Sequence, residues 1–204
     1  MPPKQAPPVP GVILQSTTYN DTLIEVTQGD IITFPITAIV NAADATALFA
    51  GNRGGGGLDA QIHAAAGPAL APELIDRYQG NQVVGVGGAY LSPPFNIGTA
   101  QYIIHATGPD FNQAASQQEA IRDLREAYRL SLTVAGSALH VKSIALPALS
   151  TGRFGFPHDL AARTAMAAVR EFLDDEGEKL FDKVVFLIRP NSQENFDAYN
   201  NNFA

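Results

Sequence analysis

Short apolar runs alternate along the chain with longer segments in which apolar residues recur at helical spacing. Apolar runs bounded by glycine, proline or polar clusters are typical of buried strands, so each run predicts one β-strand. The six predicted strands are Thr22–Val26, Ala38–Val40, Gln82–Val86, Tyr102–His105, Ser143–Leu146 and Val184–Ile188.

Three segments carry helical signals. One helical face is shared by Ile121, Leu124, Tyr128, Leu132 and Ala135. Ser116 and Glu119 before it have the spacing of a capping box. A second helix is predicted from about His158 to Leu173, on the same spacing rule. A third begins near Leu58 and ends at Gly67, where a glycine followed by a proline is a typical stop.

The order of these elements predicts the fold class. Strands and helices alternate through most of residues 20–204, which indicates an α/β fold with a mixed central sheet and helices on both faces. Five of the 14 prolines lie in the first ten positions. We therefore assign residues 1–12 to an extended proline-rich tail and residues 13–204 to a single domain, a size that one core can serve.

Composition narrows the chemistry that this domain can perform. The chain has no cysteine, which excludes a cysteine nucleophile, a disulfide framework and a thiolate metal site. Its 4 histidines show no metal-ligand spacing, so neither a metal nor another cofactor is expected. His63 and His105 lie within apolar runs and are predicted to be core residues.

Charge and hydropathy bear on partners and location. A net charge of −7 argues against a broad nucleic-acid contact surface, which needs clustered Lys and Arg. No apolar run is long enough to cross a bilayer, and the first residues lack the pattern of a signal peptide. We expect a monomer that is not secreted, located in the cytoplasm or the nucleus, without membrane contact.

Two loops are candidates for binding an anion. Five of the 18 glycines lie between Gly51 and Gly57, after the strand at Ala38–Val40 and before the helix at Leu58. Backbone N–H groups of such a loop can turn toward one anion, and the helix dipole adds positive potential. Ser150–Pro157 is a second strand-to-helix loop of similar composition. Together the loops could grip a diphosphate; the alternative is that each is an ordinary turn.

Six sequence blocks resemble, in order, the motifs of the macrodomain family, in particular the MacroD-type ADP-ribose hydrolases. They are Val26-Thr27-Gln28-Gly29-Asp30-Ile31, Ala38-Ile39-Val40-Asn41-Ala42-Ala43, Gly54-Gly55-Gly56-Gly57-Leu58-Asp59, Ile62-His63-Ala64-Ala65-Ala66-Gly67, Ile104-His105-Ala106-Thr107-Gly108-Pro109 and Pro147–Pro157. The resemblance implies a three-layer αβα sandwich whose cleft binds ADP-ribose. It also implies a hydrolase whose partners are mono-ADP-ribosylated proteins and, as a further substrate, O-acetyl-ADP-ribose.

The resemblance also implies roles for individual residues. Asp30 would accept a hydrogen bond from the adenine amine with Ile31 along the base, and Phe154 would lie against the distal ribose. Asp59 would hold or activate the attacking water. The other implied substrate contacts are Asn41, Ala42, Gly54, Gly55, Gly56, Gly57, Leu58, Ser150, Thr151, Gly152 and Arg153.

Two departures from the family pattern affect the candidate catalytic residues. Asp44 stands where the family has an asparagine that contacts the distal ribose, and nine residues separate it from Gly54. We hypothesise that Asn52 supplies the missing amide, so that Asp44, Asn52 and Asp59 are the catalytic candidates. Either Arg53 or Arg153 would then pair with phosphate.

Two other functions stay open on the sequence alone. One is a reader module that binds ADP-ribose without cleaving it, and the other is a phosphatase that acts on ADP-ribose 1″-phosphate.

Overall fold

A computed structural model describes residues 11–44, 56–80, 85–175 and 179–203 of the chain. In these ranges seven strands form one sheet: β1 (Val12–Tyr19), β2 (Thr22–Gln28), β3 (Ala38–Ala42), β4 (Ala89–Ser92), β5 (Tyr102–Ala106), β6 (Ser143–Leu146) and β7 (Lys183–Ile188). The α-helices are α1 (Gly57–Ala66), α2 (Leu70–Tyr78), α3 (Gln117–Thr133), α4 (His158–Asp175) and α5 (Gln193–Asn202), and a short π-helix, Val134–Ala138, continues α3.

The sheet is mixed, as predicted. Its strand order is β1-β2-β7-β6-β3-β5-β4. The inner strands β2, β7, β6, β3 and β5 run parallel, while β1 and β4 pair antiparallel at the two edges. The carboxyl ends of the parallel strands therefore meet at one edge of the sheet, where α/β folds place their ligands.

Helices cover both faces of the sheet, so the predicted sandwich is confirmed. Side chains that alternate along each strand point to opposite faces and form two separate cores. One core packs α1 and α2 on the sheet and includes Ile39, Ile62, Leu70, Leu74, Ile103, Val185 and Leu187. The other packs α3, α4 and α5 and includes Val40, Ile104, Leu124, Tyr128, Val169, Phe186 and Tyr199.

The predicted start of α3 is confirmed by its cap. Ser116 Oγ accepts a hydrogen bond from the backbone N–H of Glu119 at 3.1 Å. Glu119 Oε2 accepts one from the backbone N–H of Ala115, also at 3.1 Å. Since these bonds satisfy donors that the first turn of α3 leaves unpaired, the serine and glutamate define its start.

The predicted strand at Gln82–Val86 is wrong where the structure describes it. Gly85 and Val86 lie in a turn, closed by a 2.8 Å hydrogen bond from Gly88 N to Gly85 O. The positive φ of 78° at Gly87 favours glycine and ends any extended run there. The strand of this region is β4, which starts at Ala89, and residues 82–84 lie outside the described ranges.

Three elements were not predicted, each for a physical reason. β1 has only three apolar residues followed by four polar ones, so it lacks the apolar run of an inner strand, and it begins at Val12 inside the predicted tail. Pro72 reads as a helix breaker, but it lies in the first turn of α2, where its missing N–H costs no helical bond. α5 is almost entirely polar and buries only Asn195, Ala198 and Tyr199. Residues 1–10 of the tail lie outside the described ranges.

None of the helices in the described ranges is both long enough and apolar enough to cross a bilayer.

Candidate functional site

A cleft of about 490 Å³ opens where the parallel strands end. This volume lies within the range of small-molecule sites, roughly 300–1,000 Å³. The cleft brings together most of the predicted site residues: Ile31, Ala42, Asp44, Gly56, Gly57, Leu58, Asp59, Ser150, Thr151, Gly152, Arg153 and Phe154.

One wall of the cleft is the N-terminus of α1. Gly57 has a φ of 56°, a left-handed conformation that favours glycine. A Cβ atom built on Gly56 or Gly57 would meet no other described atom within 4 Å, so the backbone here is open to the cleft. No described side chain caps the first turn of the helix. Its N–H groups can therefore bind an anion.

The opposite wall is the loop that follows β6. Ser150 has a φ of 62°, and its carbonyl accepts a 3.0 Å hydrogen bond from Phe156 N. The Ser150 hydroxyl is buried and has no hydrogen-bond partner within the part of the chain that the structure describes. It packs against Gly108 so closely that a Cβ on that glycine would overlap Ser150 Oγ. Ser150 thus lines the cleft with a buried hydroxyl that is unpaired among the described residues.

The buried hydroxyl of Tyr128 holds the loop of this second wall in place. Its hydroxyl donates to Pro147 O at 2.8 Å and accepts from Leu149 N at 3.0 Å, and it lies 3.2 Å from the hydroxyl of Tyr199. Burial raises the pKa of Tyr128 to about 12, which keeps the hydroxyl protonated and able to donate. The loop is therefore tied to both α3 and α5.

Asp59, in the first turn of α1, is the buried carboxylate of the cleft. It is 2% exposed and lines the cavity. Its Oδ1 accepts a hydrogen bond from Asn41 Nδ2 at 2.6 Å, and its Oδ2 accepts one from Asp44 N at 3.3 Å. His63, one turn further along α1, places Nε2 3.6 Å from the same Oδ1. Both carboxylate oxygens therefore have fixed directions.

A second layer of buried polar side chains lies beneath Asp59. Asn41 on β3 pairs in register with His105 on β5, so both side chains point to the same face. Asn41 Nδ2 lies 3.1 Å from His105 Nδ1, and His105 Nε2 lies 2.8 Å from Ser92 Oγ on β4. The ring of Tyr90 stacks on the imidazole with centroids 5.0 Å apart.

The two histidines of this face are buried, as predicted, and burial changes their protonation. It lowers the pKa of His105 to about 3, with a smaller contribution from neighbouring His63. Burial also lowers the pKa of His63, a shift that the negative charge of Asp59 partly opposes. His105 is therefore neutral at physiological pH, and its two nitrogens must divide the roles of donor and acceptor.

The mouth of the cleft carries charged groups that are more exposed than Asp59. Arg153 Nη2 lies 3.5 Å from Asp44 Oδ2, so an ion pair joins the two loops. The Arg153 guanidinium also lies 6.0 Å from the centre of the Phe154 ring. Further along the mouth, Arg189 donates a 2.9 Å hydrogen bond to Gln61 Oε1 on α1.

Several predicted site residues do not line the cleft. Asn41 is fully buried and contacts Asp59 instead, because β3 points it under α1. Asp30 lies exposed at the end of β2, where its carboxylate accepts from Ile32 N at 2.9 Å. The predictions for Asn52, Arg53, Gly54 and Gly55 fall outside the described residues.

The sequence predictions missed one polar cluster that lines the cleft. Asn195 on α5 donates to Thr151 Oγ1 at 3.0 Å, and its Oδ1 lies 2.8 Å from His158 Nδ1. The burial of Asn195 could not be predicted, because an asparagine within an almost entirely polar helix looks like any surface residue in the sequence. The signal for Asn41 and His105 was stronger, because each interrupts an apolar strand and a buried polar group needs a partner.

Within residues 11–44, 56–80, 85–175 and 179–203, no three His, Asp or Glu side chains converge in a way that could hold an ion.

Sequence comparison identifies relatives of the chain. The family model described as Macro domain matches residues 40–165. The chain is 41% identical over 152 residues to an O-acetyl-ADP-ribose deacetylase of Salmonella gallinarum, which covers 74% of this chain and 79% of that protein. It is 36% identical over 161 residues to the ADP-ribose glycohydrolase MACROD2 of Xenopus laevis, covering 79% of this chain but 35% of that longer protein.

Solved structures show the same similarity. The macrodomain of Oceanobacillus iheyensis with ADP matches with a TM-score of 0.78 at 29% identity, covering 93% of this chain and 94% of that one. The Trypanosoma brucei macrodomain in complex with ADP-ribose matches with a TM-score of 0.74 at 30% identity, covering 89% of this chain and 69% of the other.

Proposed function

The chain belongs to the macrodomain family, and on that premise we propose that it binds ADP-ribose and hydrolyses esters of it, both on modified protein side chains and in O-acetyl-ADP-ribose. The names of its relatives support this substrate class. The observation that carries the proposal is the buried carboxylate of Asp59, which lines the cleft directly beside a backbone anion site.

The two walls supply the groups that a diphosphate needs. The uncapped first turn of α1 lines the cleft on one side, and Ser150, whose buried hydroxyl is unpaired among the described residues, lines it on the other. Main-chain and hydroxyl donors bind phosphate without a basic surface. This explains how a chain with a net charge of −7 can bind an anionic ligand.

The remaining groups of the cleft suit the two ends of ADP-ribose. Ile31 lines the cleft and can contact the base, while the neighbouring Asp30, exposed after β2 and outside the lining, can accept a hydrogen bond from the adenine amine. Phe154 and Asp44 lie at the other end, close to Asp59 and suited to the distal ribose. The ester to be cleaved would then lie next to Asp59.

Hydrolysis requires a water that is held and deprotonated at this end. A carboxylate oxygen accepts up to two hydrogen bonds, so Asp59 can hold a water in addition to its protein contacts. As the water oxygen bonds to the ester carbonyl carbon, its proton passes to the carboxylate. The bond from that carbon to the ribose oxygen then breaks, and the Asp59 carboxyl group returns the proton to that oxygen, which gives a free carboxylic acid, ADP-ribose and the original carboxylate.

Binding and turnover are tested separately. Calorimetric titration should show ADP-ribose binding more tightly than AMP, because AMP lacks the second phosphate and the distal ribose. Incubation with a protein that carries mono-ADP-ribose on glutamate should release free ADP-ribose. Absence of binding at millimolar ADP-ribose would contradict the whole proposal.

A reader module that binds without cleaving is the second candidate, and Asp44 favours it. An ionised Asp44 cannot donate to a ribose hydroxyl, and its ion pair with Arg153 occupies the ribose end of the cleft. ADP-ribose binding without release of ADP-ribose from either ester substrate would select the reader.

A further inference from the structure

Four buried side chains form a continuous hydrogen-bonded chain that runs from the cleft to the edge strand of the sheet. Asp59 contacts Asn41, Asn41 contacts His105, and His105 contacts Ser92, at 2.6, 3.1 and 2.8 Å. Each of the four is at most 2% exposed. Only the first lines the cleft, so the other three cannot touch a ligand there.

The direction of every bond in this chain follows from chemistry. A carboxylate only accepts, so the Asn41 atom that faces Asp59 must be its NH₂ group. The same NH₂ group faces His105 Nδ1, which must therefore accept as well. The imidazole proton then lies on Nε2 and is donated to Ser92 Oγ, whose own hydrogen is directed to the Pro93 carbonyl at 3.1 Å.

The opposite arrangement is unfavourable at two places. A proton on His105 Nδ1 would face the Asn41 NH₂ group, donor against donor. If Asn41 rotated to present its oxygen instead, that oxygen would face the carboxylate of Asp59, acceptor against acceptor. In the observed rotamer, Asn41 Oδ1 is buried and has no hydrogen-bond partner among the described residues, which costs free energy. The rotamer is still favoured because the NH₂ group on the other side of the amide donates to two acceptors, Asp59 Oδ1 and His105 Nδ1.

We infer that Ser92 and His105 are positioning residues for the reaction at Asp59: the serine hydroxyl holds the imidazole proton on Nε2, and this leaves Nδ1 to hold the Asn41 amide toward the carboxylate. The inference rests on the proposed function only where it concerns turnover. The stacked ring of Tyr90 fixes the imidazole plane, which completes the arrangement. Chemistry in the cleft thus depends on a hydroxyl of β4, at the far edge of the sheet.

Ser92→Ala tests the inference by removing the acceptor of the imidazole proton. The turnover number should fall about tenfold to a hundredfold, as for loss of a group that orients a reacting group. The dissociation constant for ADP-ribose should change less than about twofold, because Ser92 does not reach the cleft. Ser92→Thr keeps a hydroxyl at the same position and should restore part of the turnover.

Ser131→Ala is the matched control. Ser131 is fully buried, as Ser92 is, and its hydroxyl donates one hydrogen bond to Ala127 O at 2.7 Å within α3. The alanine variant therefore also removes a buried serine hydroxyl and its hydrogen bond. It should keep the wild-type turnover. If Ser92→Ala keeps it too while Asp59→Ala abolishes it, the inference is overturned and the proposed function stands.

The imidazole tautomer gives a readout that needs no turnover. Long-range ¹H–¹⁵N correlation spectra at pH 7 should show neutral His105 protonated at Nε2 in the wild type and at least partly at Nδ1 in Ser92→Ala. An Nδ1-protonated wild type overturns the inference whatever the enzyme does. A wild type that cleaves neither ester overturns the proposed function instead, and the Nε2 tautomer would still support the direction of these bonds.

Discussion

The polar groups of the cleft divide into a buried floor and an exposed rim. The floor consists of Asn41, Asp59, His105 and Ser92, none more than 2% exposed. The rim consists of the Asp44–Arg153 ion pair and the Arg189–Gln61 hydrogen bond; the Arg153 side chain is 71% exposed and that of Asp44 13%. The floor carries no full cation, whereas each rim contact includes an arginine.

This difference in burial predicts that substitutions in the floor and in the rim will have effects of different size on turnover and on ligand binding. In the interior the effective dielectric is low, so hydrogen-bond direction and unpaired groups carry large energies. At the mouth, water and salt screen an ion pair, and exposed pairs contribute about 0–1 kcal/mol. We therefore expect floor residues to control turnover and rim residues to adjust binding slightly.

The largest expected effect comes from reversing one donor of the floor. Asn41→Asp would place a second carboxylate 2.6 Å from Asp59, where both cannot be ionised together. Release of ADP-ribose at pH 7 should fall by at least about a hundredfold, as for loss of a general base. Rates measured with saturating substrate would decide this, and a variant that keeps wild-type turnover would contradict the role of the floor.

The buried imidazole should also make stability depend on pH. The pKa of His105 is lowered to about 3 in the folded protein, against about 6.5 unfolded, so the unfolded state binds more protons below pH 6.5. Stability should fall as pH decreases, by up to about 1.4 kcal/mol per pH unit, or about 2 kcal/mol between pH 6.5 and 5. His63, whose pKa is also lowered, adds in the same direction.

Urea unfolding at several pH values measures this effect. A His105→Gln variant that still folds should show a shallower loss of stability over the same interval, because it lacks the titrating group. An equal slope in both proteins would mean that another group causes the acid sensitivity.

A smaller effect is expected at the second wall. Gly108→Ala would push a methyl group into Ser150 Oγ and displace the hydroxyl that the proposal assigns to phosphate. The affinity for ADP-ribose should fall about tenfold, the value of one hydrogen bond to a charged group. Gly152→Ala, where a Cβ meets no described atom within 4 Å, should cost less; calorimetry on both variants checks the order.

The smallest effect is expected at the rim. Arg153→Ala removes the exposed partner of Asp44 and should change the dissociation constant for ADP-ribose by less than about fivefold. That difference should shrink further as salt is raised from 50 to about 500 mM, because screening weakens the wild-type contact. A change as large as that of a floor variant would remove the distinction between the two regions.

Local signals were enough to predict most of the fold and both walls of the cleft. The parallel strands are apolar runs, and α1 and α3 have clear start or stop residues, so each could be predicted from its own segment. β1 and α5 have no such signal. β1 depends on pairing with β2 at the sheet edge, and α5 depends on the contact between the hydroxyls of Tyr199 and Tyr128.

The floor could be predicted only in part. Asp59 follows from the motif, and a polar residue within each apolar strand indicates that Asn41 and His105 need partners. That they are partners of each other depends on the register of β3 against β5, and Ser92 on β4 is a diagonal neighbour across a further strand. Register is a property of the assembled sheet, so no single segment carries it.

The central claim is that Asp59 activates the water that cleaves the ester, and Asp59→Asn tests it most directly. The amide oxygen of the replacement can still accept the hydrogen bond from Asn41, so the floor stays intact while the base is lost; only the longer 3.3 Å bond from Asp44 N loses its acceptor. With a glutamate-linked mono-ADP-ribosylated protein in single-turnover conditions, release should be at least about a hundredfold slower than with the wild type, at unchanged affinity for ADP-ribose. Equal release rates from the two proteins would contradict the claim.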